Sequence, residues 1–127
     1  MPPGAILLSD DLIFTSRITG TGRALGLPVR NALNSDALLT LAQKQPPTCV
    51  IVDLANPGLK IADLIAGLSS LPVRPRVVAY GSHVDAATLR AARDAGCDVV
   101  LPRSKFVEEL PTALPGWLAP PTGGGAP

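Results

Sequence analysis

Three aspartates are the residues of this chain best placed to do chemistry. Asp53 closes the short apolar run Cys49-Val50-Ile51-Val52, and Leu-Ala-Asn-Pro-Gly, a loop signature, comes after it. A run of that kind reads as a buried strand of a parallel sheet, apolar on both faces. Asp53 is therefore expected at the carboxyl end of a central strand, the edge where open α/β sheets place ligands and chemistry. Asp10 and Asp11 follow a second apolar run, Ala5-Ile6-Leu7-Leu8. With the two strands side by side, three carboxylates would meet at one edge. Clustered carboxylates repel one another, and a hard divalent cation prefers oxygen ligands.

Other chemistry is thinly represented. His83 is the only histidine, and with two cysteines it makes no closed zinc set. Cys49 and Cys97 each open an apolar run and read as buried, reduced, unbridged thiols. Gly20-x-Gly22-x-x-x-Gly26 resembles a phosphate loop in composition only. Such a loop opens a helix directly after a strand, whereas this one closes a helix, so packing and a C-cap are its reading.

The elements that must position the acids follow from pattern. The first strand leads through Asp10 or Asp11, as N-cap, into a helix running to about Leu25. Residues 28–33 read as an edge strand opened by proline. Asn34-Ser35-Asp36 offers a cap for a helix through Gln45, and Pro46-Pro47 ends it. After the central strand, Ile61, Leu64, Ile65 and Leu68 mark an amphipathic helix. A fourth strand covers residues 76–80. A helix capped by Asp85 and ended by Gly96 comes next, then a fifth strand over residues 98–101. A last helix, capped by Ser104, covers residues 105–110, and Pro111 interrupts or kinks it. Residues 1–118 make one domain, and 119–127 a disordered Pro/Gly-rich tail. Five strands alternating with five helices predict a three-layer, flavodoxin-like α/β fold, its parallel sheet in the order 2-1-3-4-5.

Composition limits function. The chain has 127 residues, 46% of them apolar, enough for one core. Eleven basic residues against ten acidic argue against a broad footprint for nucleic acid or an anionic membrane. No apolar run reaches the ~18 residues of a membrane helix, and the start lacks a basic n-region. A cytoplasmic protein that is not an enzyme is the expectation.

On these residues the chain resembles the receiver domain of bacterial response regulators, over nearly its whole length. The resemblance rests on Leu8-Ser9-Asp10-Asp11, on Asp53 with Pro57 four residues on, and on Ala91-Ala92-Arg93-Asp94-Ala95-Gly96-Cys97, at family spacing and in the family's element order. It implies that Asp53 is the phosphoacceptor, served by a histidine kinase or another signalling protein. It also implies Mg²⁺ held by Asp10, Asp11 and Asp53, with the carbonyl of Ala55. A homodimer is left open.

The other half of the implied site departs from the family. The hydroxyl position at the end of the fourth strand falls on Gly81, with Ser82 one residue away. The lysine falls on Arg103, and the aromatic switch on Val100. Gly81, Ser82 and Arg103 are the candidates for phosphoryl contact or switching, and arginine's fork differs in reach from an ammonium group. Three readings follow. One is a pseudo-receiver acting through protein contacts. The second is a competent phosphoacceptor with an unusual switch, and the third a flavodoxin-like cofactor binder. The expected partner face carries Arg90, Arg93, Arg103 and Lys105. Arg103 could also swing in and pair with Asp53 as a fixed internal cation.

Overall fold

Apolar strands that alternate with amphipathic helices can bury their faces only by winding helices onto both sides of a sheet. The computed structural model, which describes residues 4–119, has this arrangement. Strands β1 (Ala5–Leu8), β2 (Val29–Ala32), β3 (Cys49–Asp53), β4 (Arg76–Gly81) and β5 (Val99–Pro102) alternate with helices α1 (Leu12–Ala24), α2 (Ser35–Lys44), α3 (Ile61–Ser69), α4 (Ala86–Ala95) and α5 (Arg103–Leu118). Every strand pair is parallel, and the order is β2-β1-β3-β4-β5, as expected.

The sheet divides the core in two. Ile6, Leu8, Val50, Val52, Val77 and Ala79 pack with Leu38, Leu64 and Leu68 of α2 and α3. Leu7, Ile51, Val78 and Tyr80 pack on the other face with Ile18 of α1 and with Phe106, Leu110 and Leu114 of α5. β1 and β3 are buried throughout, which explains why they are apolar at every position but Asp53.

Caps follow the sequence at most ends. The side chains of Asp11, Asn34 and Asp85 accept first-turn N–H groups of α1, α2 and α4. Gly96 ends α4 at φ +107°, a left-handed conformation that glycine adopts without strain. Gly22 is a packing residue, since a Cβ there would lie 2.6 Å from the carbonyl oxygen of Leu27.

The largest boundary differences concern α5 and β5. α5 runs unbroken through Pro111 and Pro115, because Phe106, Leu110, Leu114 and Leu118 form one buried stripe whose packing outweighs the lost hydrogen bonds. It begins at Arg103 with Pro102 as an N-cap that offers no side-chain bond, so Ser104 lies inside the helix and does not cap it. β5 starts at Val99, because the Asp98 carboxylate turns back to accept from Arg74 and from the N–H of Val77, at 2.9 and 2.7 Å. Of the expected tail, 120–127 lie outside the described residues. No helix among the described residues is long and apolar enough to cross a membrane.

Both cysteines are free. Burial, foremost, pushes the Cys49 thiol up from 9.0 to about 12 and the Cys97 thiol to about 11, and the Asp98 carboxylate adds to each. Both folded values exceed the unfolded one. Their contribution to stability is therefore complete below about pH 9 and is lost as pH rises from there through the folded values. Urea midpoints are expected to hold between pH 7 and 8.5 and to fall above pH 9.5, each thiol adding at most about 1.4 kcal/mol per pH unit. A midpoint unchanged up to pH 11 would contradict this.

Candidate functional site

The site is built where β1, β3 and β4 end. The β1–β3 register pairs Leu8 with Val52, so the next step sets Ser9 opposite Asp53. The β3–β4 register pairs Asp53 with Tyr80. Side chains alternate along a strand, which places Ser9, Asp53 and Tyr80 on the face covered by α1 and α5. Asp53 is 4% exposed and Ser9 fully buried. The Ser9 hydroxyl donates to Oδ2 of Asp53 at 2.8 Å and accepts the N–H of Asp11 at 3.0 Å. The N–H of Ala55 donates to Oδ1 of Asp53 at 2.9 Å. From the edge strand β2, the Asn31 amide donates to the carbonyls of Leu7 and Ser9, each at 3.1 Å, and fixes the chain as it leaves β1.

The acids do not assemble. Oδ1 of Asp11 accepts from the N–H groups of Ile13 and Phe14, at 3.0 and 3.1 Å, and so caps α1. Asp10 and Asp11 are both exposed. Among the described residues no three His, Cys, Asp or Glu side chains are grouped to hold a metal ion. Asp53 stands at the expected edge, but Asp10, Asp11 and Asp53 do not converge as a ligand set. As placed, this donor set does not fit Mg²⁺, because Asp10 and Asp11 are not grouped with Asp53. The neighbour that the sequence reading missed is Ser9. Counting one step past the last apolar residue of β1, in place of searching for acids, identifies it.

The switch candidates lie apart from Asp53 in chemistry. A Cβ on Gly81 would meet Leu54 at 3.3 Å and Leu89 at 3.4 Å, so apolar groups fill the space where a hydroxyl would stand. Ser82 is half-buried, and its hydroxyl accepts the N–H of Val84 at 3.4 Å. Val100 packs against the core under α2 and α3. The Arg103 guanidinium lies over the Phe14 ring, 5.5 Å from its centroid. The ion pairs among the described residues are Arg74–Asp98 and Lys105–Glu109, so Arg103 does not pair with Asp53.

Tyr80 joins the site to the core. Its ring stacks on Phe14 and Phe106, with centroids 5.3 and 4.5 Å away, and Phe106 stacks on Trp117 at 5.6 Å. The Tyr80 hydroxyl is buried beside the Ser9 hydroxyl and makes no well-formed hydrogen bond among the described residues. Burial, then the Asp53 carboxylate, holds its pKa above the ordinary range of a phenol.

Solved structures similar to this chain include response-regulator receiver domains. A response regulator from Chloroflexus aurantiacus J-10-fl superimposes with a TM-score of 0.80 at 21% identity, over 93% of this chain and 98% of that one. The receiver domain of Francisella response regulator 1452 gives 0.76 at 16%, over 91% and 96%. The NarL receiver domain of Mycobacterium tuberculosis gives 0.74 at 19%, over 91% and 94%. The chain has the receiver-domain fold. No family model and no curated protein matches the sequence. Within the receiver fold, Asp53 occupies the strand end that the sequence resemblance gave to a phosphoacceptor, and a serine faces it across the sheet.

Two substitutions test this geometry. Ser9→Ala would leave Oδ2 of Asp53 buried without its donor. A hydrogen bond to a charged group contributes about 2 kcal/mol, so thermal denaturation is expected to show a fall of roughly 6–10 °C. An unchanged melting temperature would mean that the bond contributes nothing. Tyr80→Phe removes an unpartnered buried hydroxyl and keeps the stack. It is expected to raise stability by about 1 kcal/mol, and a measured loss would show that the hydroxyl has a partner.

Proposed function

We propose that this receiver-fold domain is a signalling module that acts through protein contacts and does not use Asp53 as a phosphoacceptor. One observation carries the reading: the carboxylate is buried and held from both sides, by the Ser9 hydroxyl and the Ala55 N–H. A phosphoryl donor needs an exposed oxygen and a cation to offset the charge that develops during transfer. Neither requirement fits an Asp53 that is 4% exposed and lacks acidic neighbours grouped for a metal.

The contact surface we assign is the face of α4, β5 and α5, with Arg90, Arg93 and Lys105 exposed and Arg103 half-buried. It suits a signalling protein with an acidic face, a histidine kinase being the class that the receiver fold suggests. Leu12 and Ile13, exposed at 76% and 78%, offer an apolar contact at the start of α1.

The experiment is intact-mass measurement after acetyl phosphate, with and without Mg²⁺, beside a competent receiver as control. The expected outcome is no phosphoryl adduct, together with a Mg²⁺-induced change in melting temperature under about 1 °C, since a cation with no site on the folded state adds no stability. An adduct that forms with Mg²⁺ and disappears in Asp53→Asn would establish the competent acceptor in its place.

A further inference from the structure

An open cleft of about 550 Å³ lies between the start of α1, the loop after β4 and the start of α5. Phe14, Arg17, Ser82, His83, Arg103, Ser104 and Val107 line it. Two arginines, a histidine and two serines are among its lining residues, and no acidic residue is. Neither arginine is in an ion pair among the described residues. Among the described residues, the guanidinium groups committed to protein hydrogen bonds are those of Arg30, Arg74 and Arg76, all outside the cleft. Arg103 is steered into position by the Phe14 ring, which leaves its N–H edges free. The first turn of α5 adds to this field. It has no side-chain cap and no acidic residue, so backbone N–H groups beside Ser104 carry the positive end of a 16-residue helix.

We propose that this cleft is a binding site for a small phosphorylated ligand, a phosphate monoester with an apolar or ring-shaped body. The two guanidinium forks and the hydroxyls match the oxygens of a phosphate dianion. Phe14 and Val107 give an apolar wall for the rest of the molecule. The volume is that of a small-molecule site. A polyanion such as nucleic acid would need a wider basic field than a chain of net charge +1 provides. Binding here is non-covalent and does not depend on whether Asp53 is ever phosphorylated.

The test is a titration of the ¹⁵N-labelled chain with phenyl phosphate, inorganic phosphate and a phosphoserine peptide in turn. Saturable shifts are expected at His83, Ser104 and Lys105, with phenyl phosphate binding tighter than phosphate because it also covers Phe14. Arg17→Gln, at an exposed position, and Arg103→Gln are each expected to weaken binding about tenfold or more, as loss of a charge-assisted bond does. Asp53→Asn should bind as the parent does, which separates this site from the question of phosphotransfer. No saturable shift at low-millimolar phenyl phosphate would overturn the proposal. So would binding indifferent to both arginine substitutions, or tight binding of the peptide alone.

Discussion

The hydrogen bond from Ser9 to Asp53 governs how the carboxyl edge of the sheet is arranged. A carboxylate at the end of a central strand is buried among apolar neighbours, and such a group needs donors or a counter-charge. Ser9 and the Ala55 N–H supply donors, one to each oxygen of Asp53. The same serine oxygen accepts the N–H of Asp11, which fixes the chain between β1 and α1. Asp11 is thereby placed to cap α1, and α1 carries Phe14 onto Tyr80. One side chain thus sets the polar centre, the start of a helix and the first contact of an aromatic stack.

Around that centre the edge is divided by chemistry. On the side of α3 and α4, Leu54 and Leu89 crowd Gly81, and Gly81 itself offers no hydroxyl. Toward α1 and α5, positive charge collects in a cleft in which Arg103 is turned to Phe14 and not to Asp53. The buried acid and the basic cleft are near one another in the fold, yet no ion pair links them. At the opposite edge of the sheet, Thr48 and Arg76 donate to carbonyls in the last turn of α5, at 2.6 Å to Leu118 and 2.6 Å to Trp117. Those bonds satisfy groups that a helix end leaves open.

Most of the architecture was legible because it depends on periodicity, which is written along the chain. The apolar runs of β1 and β3, the helix marked by Ile61, Leu64, Ile65 and Leu68, and the Asn34, Asp85 and Gly96 caps were each readable locally. What failed required knowledge of packing. Pro111 predicts a break, and only the buried stripe on α5 shows why the helix survives it. Ser104 has the right chemistry for a cap, but strand β5 ends later and closer to it than its apolar run indicates. The surroundings of Asp53 were hidden for another reason. Asp10 and Asp11 attract attention as charges, whereas the partner of Asp53 is set by register and is a small neutral residue with no compositional signal. The direction in which Arg103 points is likewise a tertiary fact.

The four aromatic residues of the chain, Phe14, Tyr80, Phe106 and Trp117, belong to one continuous stack. The near-ultraviolet spectrum of this protein is therefore the signature of a single object. Tyr80 is the only member on the sheet; Phe14 is on α1, and Phe106 and Trp117 are on α5. Undocking α5 would split the stack between Tyr80 and Phe106 and leave only the Phe14–Tyr80 pair. Near- and far-ultraviolet dichroism consequently report different events in this domain, the seating of its last helix and the persistence of its strands. Melting followed in the near ultraviolet is a measurement of the aromatic stack, and through it of how α5 is seated.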